Sequence, residues 1–301
     1  MSDTWQAAPG ARQDVGAAGP TLRVAVVGTG LWWGRQHARV FSERTDTELV
    51  AVVGRTEAST RARADAVGAR PYTDIDAMLA AERPDLVSVC LPNASHFDVT
   101  LRLLQSGVPL LVEKPLVFDL DEADALLREA TERGSFVAID FNHRYARPVQ
   151  LAEAAIETGR VGDIAFATWR FGGEGHSPDS DGNLIETQCH GFDMLEHLVG
   201  PIASVAAQFT ELPGRGHSSV AIALSFENGA VGSLVGSYDT SYAYPDAHRV
   251  EIDGTLGRVV ISDTVRRFEI QSAGSGNGMT RGTSLAPVRW QDRLATRAAC
   301  R

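Results

Sequence analysis

The chain has 301 residues, of which 44% are hydrophobic and 22% are charged, and its formal net charge is −10. This length accommodates two domains, and the composition is typical of a globular rather than a disordered protein. Because the chain is acidic and has no basic cluster, we expect neither nucleic acid nor an anionic membrane as a partner.

The cysteines and the first residues bear on the compartment. Cys90, Cys189 and Cys300 are an odd number without CxxC spacing, which argues against a disulfide framework and a thiolate-rich zinc site. Residues 1–20 lack the apolar core of a signal peptide, and no stretch approaches the ~20 apolar residues that span a bilayer. We therefore expect a disordered tail at 1–20 and a cytoplasmic protein.

The first half of the chain alternates short apolar runs with helical patterns. Near-continuous apolar runs are typical of parallel strands buried on both faces, and their alternation with helices predicts a doubly wound parallel sheet over residues 21–141. The predicted strands are Leu22–Val27, Leu49–Val53, Leu86–Cys90, Leu110–Val112 and Phe136–Ile139, and the predicted helices lie near 34–44, 57–67, 74–82, 95–106 and 120–133.

The pattern changes after about residue 145. Helices are predicted near 148–158 and 186–199, and turn signals near residues 228 and 253 indicate hairpins between alternating strands. Residues 142–301 are therefore expected to form an α+β domain with a large, mostly antiparallel open sheet, in which 271–301 is flexible. The predicted strands are Ile164–Phe171, Ile202–Phe209, Val220–Phe226, Val231–Tyr238, Val250–Ile252 and Arg258–Ile261.

The first predicted strand runs directly into a glycine-rich turn, GTGLWWG, at residues 28–34. Glycines at a strand-to-helix turn let backbone N–H groups approach a pyrophosphate at the positive end of the helix. The spacing is one residue longer than the usual GxGxxG, and a tight packing turn is the alternative interpretation. The residues expected to contact a dinucleotide are Gly28, Thr29, Gly30, Leu31, Trp32 and Gly34.

The second predicted strand is followed by Gly54-Arg55-Thr56. NAD-specific folds usually place an acidic residue here to bind the ribose 2′-hydroxyl, whereas Arg55 could pair with a 2′-phosphate. A solvated surface arginine is the alternative. We expect Arg55 and Thr56 to bind the coenzyme, with NADP(H) favoured over NAD(H).

Lys114 is the only lysine among the 28 basic residues. Unlike arginine, a lysine can be tuned towards neutral pH by burial. It follows an apolar strand directly, in Glu113-Lys114-Pro115, at the carboxyl end of the predicted sheet, where such folds bind ligands. This position predicts a site residue rather than a surface lysine retained by chance.

A second group of polar residues lies on the helix predicted at 186–199. Glu186, His190 and Asp193 are spaced so that one helical face presents all three, and a histidine beside a carboxylate can act as an acid/base. His197 lies a turn further on, so a metal site built from all four is a second interpretation. A solvated helical face is the third. We favour the acid/base interpretation, without a metal.

In this order, these motifs resemble the Gfo/Idh/MocA family of oxidoreductases, from about residue 22 to about 262. The EKP tripeptide at Lys114 is the most specific of them. The resemblance implies a Rossmann domain followed by a domain whose open sheet mediates a homodimer or homotetramer. The further matching residues are His37, Leu91-Pro92-Asn93 with His96, and Asn142-His143-Arg144-Tyr145.

The resemblance also implies redox chemistry on a secondary alcohol of a polyol, or on the matching keto-sugar. His190 is implied as the acid/base, Lys114 as the group that polarises the reacting oxygen, and Glu186 as the carboxylate where the family usually has aspartate. Pro115 is implied to follow a cis peptide. The other implied residues are Leu91, Pro92, Asn93, His96, Glu113 and Lys114 for the coenzyme, and Arg144, Asp193 and Tyr238 for the substrate.

The chain departs from the family at several positions. The glycine turn is longer, Glu186 replaces aspartate, Gln188 replaces a small residue, and the sequence after about 270 does not match. Together these changes suggest a reshaped pocket.

Three other functions stay open at this point. They are a non-catalytic dinucleotide-binding sensor or scaffold, a metal-dependent lyase or hydrolase using Glu186, His190, Asp193 and His197, and a reaction without net redox change through transient oxidation by bound NAD(P).

Overall fold

A computed structural model describes residues 20–177, 179–272 and 288–289. The chain divides into two compact units, Met1–Ile139 and Asp140–Arg301. Most of the tail expected at 1–20 and most of the flexible segment expected at 271–301 lie outside the described residues. Among the helices that are described, none combines the length and the apolar character needed to cross a membrane.

The first unit contains a six-stranded sheet. Its strands are β1 Leu22–Val27, β2 Thr47–Val53, β3 Arg70–Tyr72, β4 Leu86–Val89, β5 Leu110–Glu113 and β6 Val137–Asp140, and its helices are α1 Trp33–Glu43, α2 Glu57–Asp65, α3 Ile75–Glu82, α4 His96–Gln105 and α5 Leu120–Arg133. The strand order is β3-β2-β1-β4-β5-β6, and β1 pairs in parallel with β2 and β4. This order is that of the dinucleotide-binding fold.

Both faces of this sheet are covered. Ala25 and Val27 pack into one apolar cluster, while Val26 between them packs into another that includes Ala38 of α1. Successive side chains of a strand point to opposite faces, so the two clusters lie on the two sides of the sheet. The predicted doubly wound parallel sheet is confirmed. The sequence pattern did not reveal β3, which has only three residues.

The second unit contains an eight-stranded sheet. Its strands are β7 Ile164–Gly172, β8 Ile202–Phe209, β9 Ser219–Phe226, β10 Val231–Ser237, β11 His248–Gly254, β12 Gly257–Ser262, β13 Arg267–Ser272 and β14 Val288–Arg289, and its helices are α6 Arg147–Glu157 and α7 Cys189–Val199. The order is β14-β13-β12-β11-β7-β10-β9-β8. β7 and β10 run parallel, and the other recorded pairs are antiparallel.

One face of this sheet forms the core of the second unit. Trp169, Leu234 and Ile252 are fully buried in a cluster that also contains residues of α6 and α7. On the other face, Phe166 and Val231 are register partners and remain 41% and 51% exposed. The predicted mostly antiparallel open sheet is confirmed.

Two details differ from the expectation. The helix predicted at 186–199 is a π-helical segment, Asn183–Gln188, followed by α7. A π turn holds more residues than an α turn, so Glu186 does not share the regular α-helical spacing of His190 and Asp193. The strand β13 was not predicted. It pairs with β12 after a turn in which Asp263 to Val265 adopt positive φ.

Candidate active site

The glycine turn leaves open space at the start of α1. A Cβ at Gly34 would lie 2.5 Å from the carbonyl oxygen of Gly28, so the turn is tight, whereas a Cβ at Gly30 would meet nothing within 4 Å. The first turn of α1 has no acidic residue, and no side chain caps its N-terminus. Open space beside uncapped N–H groups fits a bound pyrophosphate.

Two of the residues predicted in this turn point outwards. Leu31 is 86% exposed and Trp32 is 68% exposed. Trp33 lies edge-on against His37, with ring centroids 6.3 Å apart. The turn therefore presents an apolar rim beside the open space.

The end of β2 has no room for the acidic residue that NAD-specific folds usually place there. A Cβ at Gly54 would lie 2.4 Å from the Thr60 hydroxyl and 2.5 Å from the Thr29 methyl group. Arg55 and Thr56 follow on the surface, and the Thr56 hydroxyl lies 2.6 Å from that of Ser59. Hydroxyls of Thr56 and Ser59 and the exposed Arg55 thus follow β2, near the strand end where the ribose is expected.

Lys114 follows β5 and is half-buried. Its predecessor, Glu113, is only 4% exposed and accepts a hydrogen bond from His37, with 3.0 Å between Oε1 and Nε2. The other ring nitrogen of His37 lies 2.8 Å from the hydroxyl of the buried Ser88. The chain just before Lys114 is therefore held in the interior of the unit.

The chain just after Lys114 is also held. The Lys114–Pro115 peptide is cis, which confirms the expectation from the resemblance. The Pro115 carbonyl lies 2.8 Å from Nδ1 of the buried His96, and Nε2 of His96 lies 2.9 Å from the Leu91 carbonyl. The backbone on both sides of Lys114 is thus braced by buried histidines.

Two residues predicted to bind the coenzyme, His96 and Glu113, make hydrogen bonds inside the first unit. Their contact with the dinucleotide stays a prediction. Leu91, Pro92 and Asn93 lead from β4 into a 3₁₀ turn, Asn93–Ser95. Because β4 pairs in parallel with β1, this segment leaves the sheet at the same edge as the glycine turn.

In the second unit, His190 lies near the start of α7 and is 8% exposed. Its ring stacks on that of His143, with centroids 4.1 Å apart and planes 17° apart. His143 in turn lies against Trp169 and His248. Burial, with the neighbouring His143, lowers the pKa of His248 to about 3, so His248 is neutral at physiological pH. Sequence reasoning missed this aromatic support because its members come from separate elements.

Arg144 and Asp193, both expected to bind substrate, bind each other. Arg144 Nε donates to both carboxylate oxygens of Asp193, at 2.9 and 2.8 Å, and the Asp193 side chain is 5% exposed. Burial raises the pKa of Asp193, and Arg144 offsets part of that effect. His197, the fourth residue of the metal alternative, lies 3.6 Å from Glu153 instead. Neither the Arg144–Asp193 ion pair nor the His197–Glu153 contact favours a metal site.

The π-helical segment carries the remaining candidates. Glu186 is half-buried, and the next residue, Thr187, places its hydroxyl 2.8 Å from that of Tyr238. Gln188 is fully buried, where it accepts a hydrogen bond from the Trp169 indole at 2.9 Å. Burial raises the pKa of Tyr238, which therefore stays protonated at physiological pH.

The fold and the glycine turn define a dinucleotide-binding α/β unit followed by a unit built on an open sheet. Residues 22–141 match the oxidoreductase family with an NAD-binding Rossmann fold, and residues 149–260 match the Gfo/Idh/MocA C-terminal domain. The chain belongs to the Gfo/Idh/MocA family of oxidoreductases.

Among curated proteins, the chain is 29% identical over 273 residues to an inositol 2-dehydrogenase of Rhizobium meliloti, covering 87% of this chain and 81% of that protein. It is 37% identical over 150 residues to a D-glucoside 3-dehydrogenase of Escherichia coli, covering 50% of this chain and 43% of that protein. The relatives thus act on sugars and cyclitols.

Among solved structures, the WlbA dehydrogenase of Bordetella pertussis, in complex with NADH and UDP-GlcNAcA, is similar with a TM-score of 0.75. The sequences are 24% identical, and the match covers 87% of this chain and 80% of that one. At this identity the likeness bears on the fold alone.

Proposed function

We propose that this protein transfers a hydride between NADP(H), or NAD(H), and a secondary alcohol or ketone of a sugar, cyclitol or related polyol. One observation carries the proposal: the only lysine follows β5 with its backbone braced on both sides by buried histidines. Such bracing serves preorganisation, because a catalytic group acts best when its direction is fixed before the substrate arrives. The inositol and glucoside dehydrogenases among the relatives support the substrate class.

In the proposed mechanism, the bound nicotinamide supplies or accepts the hydride. The Lys114 ammonium donates a hydrogen bond to the reacting oxygen and stabilises its developing negative charge. His190 takes the hydroxyl proton during oxidation and returns it during reduction, and the stacked His143 keeps the His190 ring in one orientation. We assign Glu186 as the third catalytic residue, whose carboxylate forms hydrogen bonds at the same reaction centre as Lys114 and His190.

The coenzyme preference follows from the end of β2. An arginine with neighbouring hydroxyls suits a 2′-phosphate, whereas a carboxylate at residue 54 is sterically excluded. We therefore assign NADP(H) as the preferred coenzyme and Arg55 as the residue that recognises the phosphate.

The exposed face of the second sheet is assigned to a homodimer or homotetramer. Phe166 and Val231 lie side by side there, and apolar side chains grouped on an open sheet favour association. Sedimentation velocity of Val231→Lys tests this assignment. A wild-type chain that sediments as a monomer overturns it.

The catalytic assignment is tested on Lys114. Lys114→Ala is expected to bind NADPH normally but to lose at least about a hundredfold in turnover on a polyol panel. Lys114→Arg retains the charge and serves as the control, with intermediate or low activity because arginine presents a different geometry. Normal turnover of Lys114→Ala would contradict the assignment.

The unique lysine allows a second, independent measurement. An amine-reactive reagent can modify only Lys114 and the N-terminus, so peptide mass spectrometry reports on one side chain. Coenzyme together with substrate is expected to protect Lys114, while labelling of the N-terminus stays unchanged. Equal labelling of Lys114 with and without these ligands argues against its place in the site.

A further inference from the structure

A polar cavity lies in the second unit, and Tyr238, one of the residues proposed to bind substrate, forms part of its wall. Its volume is about 210 Å³, and its walls include Ser177, Asp179, Ser180, Asn183 and Tyr238. Clefts that hold drug-sized ligands are larger, at roughly 300–1,000 Å³, so this one suits a single ring-sized group.

The cavity lies where the two parallel strands of the second sheet end. β7 and β10 run parallel, and their last residues, Gly172 and Ser237, are register partners. The carboxyl ends of parallel strands lie at one edge, where the loops that follow them converge. Both of those loops supply walls of the cavity, and Tyr238, directly after β10, also contacts Thr187 of the π-helical segment.

The walls are held together by specific contacts. Asn183, 2% exposed, donates to the Ser218 carbonyl at 2.9 Å. The His217 backbone N–H donates to the Ser180 carbonyl at 3.0 Å, and the His217 ring lies 2.6 Å from Asp181. These bonds join the loop after β7 to the loop between β8 and β9, so the cavity has a defined shape.

The charges around the cavity indicate the chemistry of its ligand. Arg215 in its wall is paired with Asp239, and Asp179 is the carboxylate that lines the cavity. Because Asp239 already balances the charge of Arg215, Asp179 makes the wall unfavourable to phosphate and carboxylate groups. The hydroxyls, the carboxylate and the two imidazoles of the wall are suited to exchange hydrogen bonds with neutral hydroxyl groups.

We propose that this cavity binds a neutral, hydroxyl-rich ring joined to the sugar that is oxidised, so that the substrate is a disaccharide or similar glycoside rather than a monosaccharide. This inference rests on the function proposed above, because it concerns the far end of the same substrate. Tyr238, in the wall of the cavity, contacts Thr187, which directly follows Glu186 in the chain.

The test compares binding of cellobiose and maltose with binding of methyl glucosides, by calorimetry in the presence of saturating NADPH. We expect at least one disaccharide to bind tenfold or more tightly than its methyl glucoside, which is the effect of about one or two added hydrogen bonds. Ser180→Trp, which fills the cavity from an exposed wall position, should remove this difference and leave methyl glucoside binding within twofold.

Glu211→Trp is the matched control, because Glu211 is exposed on the neighbouring loop but is not a wall of the cavity. Asp179→Ala provides a second variant, expected to weaken disaccharide binding alone. The proposal is overturned if no disaccharide binds better than its methyl glucoside, if Ser180→Trp weakens both ligands equally, or if glucose 6-phosphate binds best. Absence of NADP⁺- or NAD⁺-dependent oxidation of all these sugars would instead refute the function, while the binding comparison still decides the cavity.

Discussion

Replacing Arg144 by methionine should destabilise the second unit in a pH-dependent way. The substitution leaves Asp193, with a side chain 5% exposed, without its bidentate partner. Breaking a fully buried ion pair from one side costs about 3–5 kcal/mol. Because the Arg144 side chain is 39% exposed, water can partly replace it, and we expect a loss of about 2–3 kcal/mol in the free energy of unfolding near neutral pH.

The direction of the pH dependence follows from the Asp193 carboxyl. Burial already raises its pKa above the unfolded value of 3.8, and removing Arg144 should raise it further. A raised folded pKa means that the folded state holds the proton more tightly, so stability is retained below the unfolded pKa and is lost as pH rises through the folded pKa. The destabilisation by Arg144→Met should therefore be small near pH 4 and full near pH 7.

Urea denaturation monitored by tryptophan fluorescence, at these two pH values, measures the effect. Arg147→Met, an exposed arginine three residues along the chain, is the control and should change the unfolding free energy by less than about 0.5 kcal/mol. The double variant Arg144→Met/Asp193→Asn should recover part of the loss, because the buried charge is gone. An equal loss at both pH values would refute this account of the pair.

Two further predictions concern the coenzyme. Arg55→Ala should raise the Kd for NADPH by tenfold or more while leaving that for NADH within twofold, since a charge-assisted hydrogen bond contributes about 1.5–3 kcal/mol. Fluorescence titration measures both constants, and equal effects on the two coenzymes would remove Arg55 from the phosphate site. The two glycines of the turn should separate folding from binding. A Cβ at Gly34 meets the Gly28 carbonyl, so Gly34→Ala should cost about 1–3 kcal/mol of stability. A Cβ at Gly30 meets no protein atom, so Gly30→Ala should retain the melting temperature and weaken dinucleotide binding; unchanged binding by Gly30→Ala would show that the open space is not the pyrophosphate site.

The sequence predicted most elements of the fold because their patterns are local. β1 was predicted with its observed bounds, and so was α5, whose N-terminal carboxylate, Asp119, accepts from two backbone N–H groups. Short or irregular elements were missed for a physical reason. β3 has three residues, too few for a period, and the π-helical segment Asn183–Gln188 is set by tertiary packing rather than by spacing along the chain.

The candidate site was predictable as a set of residue types but not as a set of contacts. The position of Lys114 after an apolar strand was visible, whereas the bracing by His37 and His96 depends on side chains 19 to 76 residues away from their partners. Arg144 and Asp193 were assigned to the substrate because the family resemblance implied it. Their mutual ion pair requires the meeting of two elements 49 residues apart, which no periodicity encodes.

The pairing of Gln188 with Gly236 accounts for one departure from the family pattern. A Cβ at Gly236 would lie 2.2 Å from the Gln188 side chain, so the larger residue in the π-helical segment fits only because β10 has glycine opposite it. Gln188 then joins the Trp169 indole to Asn183, whose Oδ1 accepts from Gln188 Nε2 at 3.0 Å. The change from a small residue to glutamine therefore links the aromatic support of His190 to a wall of the polar cavity. Because Gln188 is itself fully buried, it shapes the pocket through Trp169 and Asn183 rather than by contact with substrate. Glu186, by contrast, is the departure that the proposed mechanism assigns to the reaction centre itself.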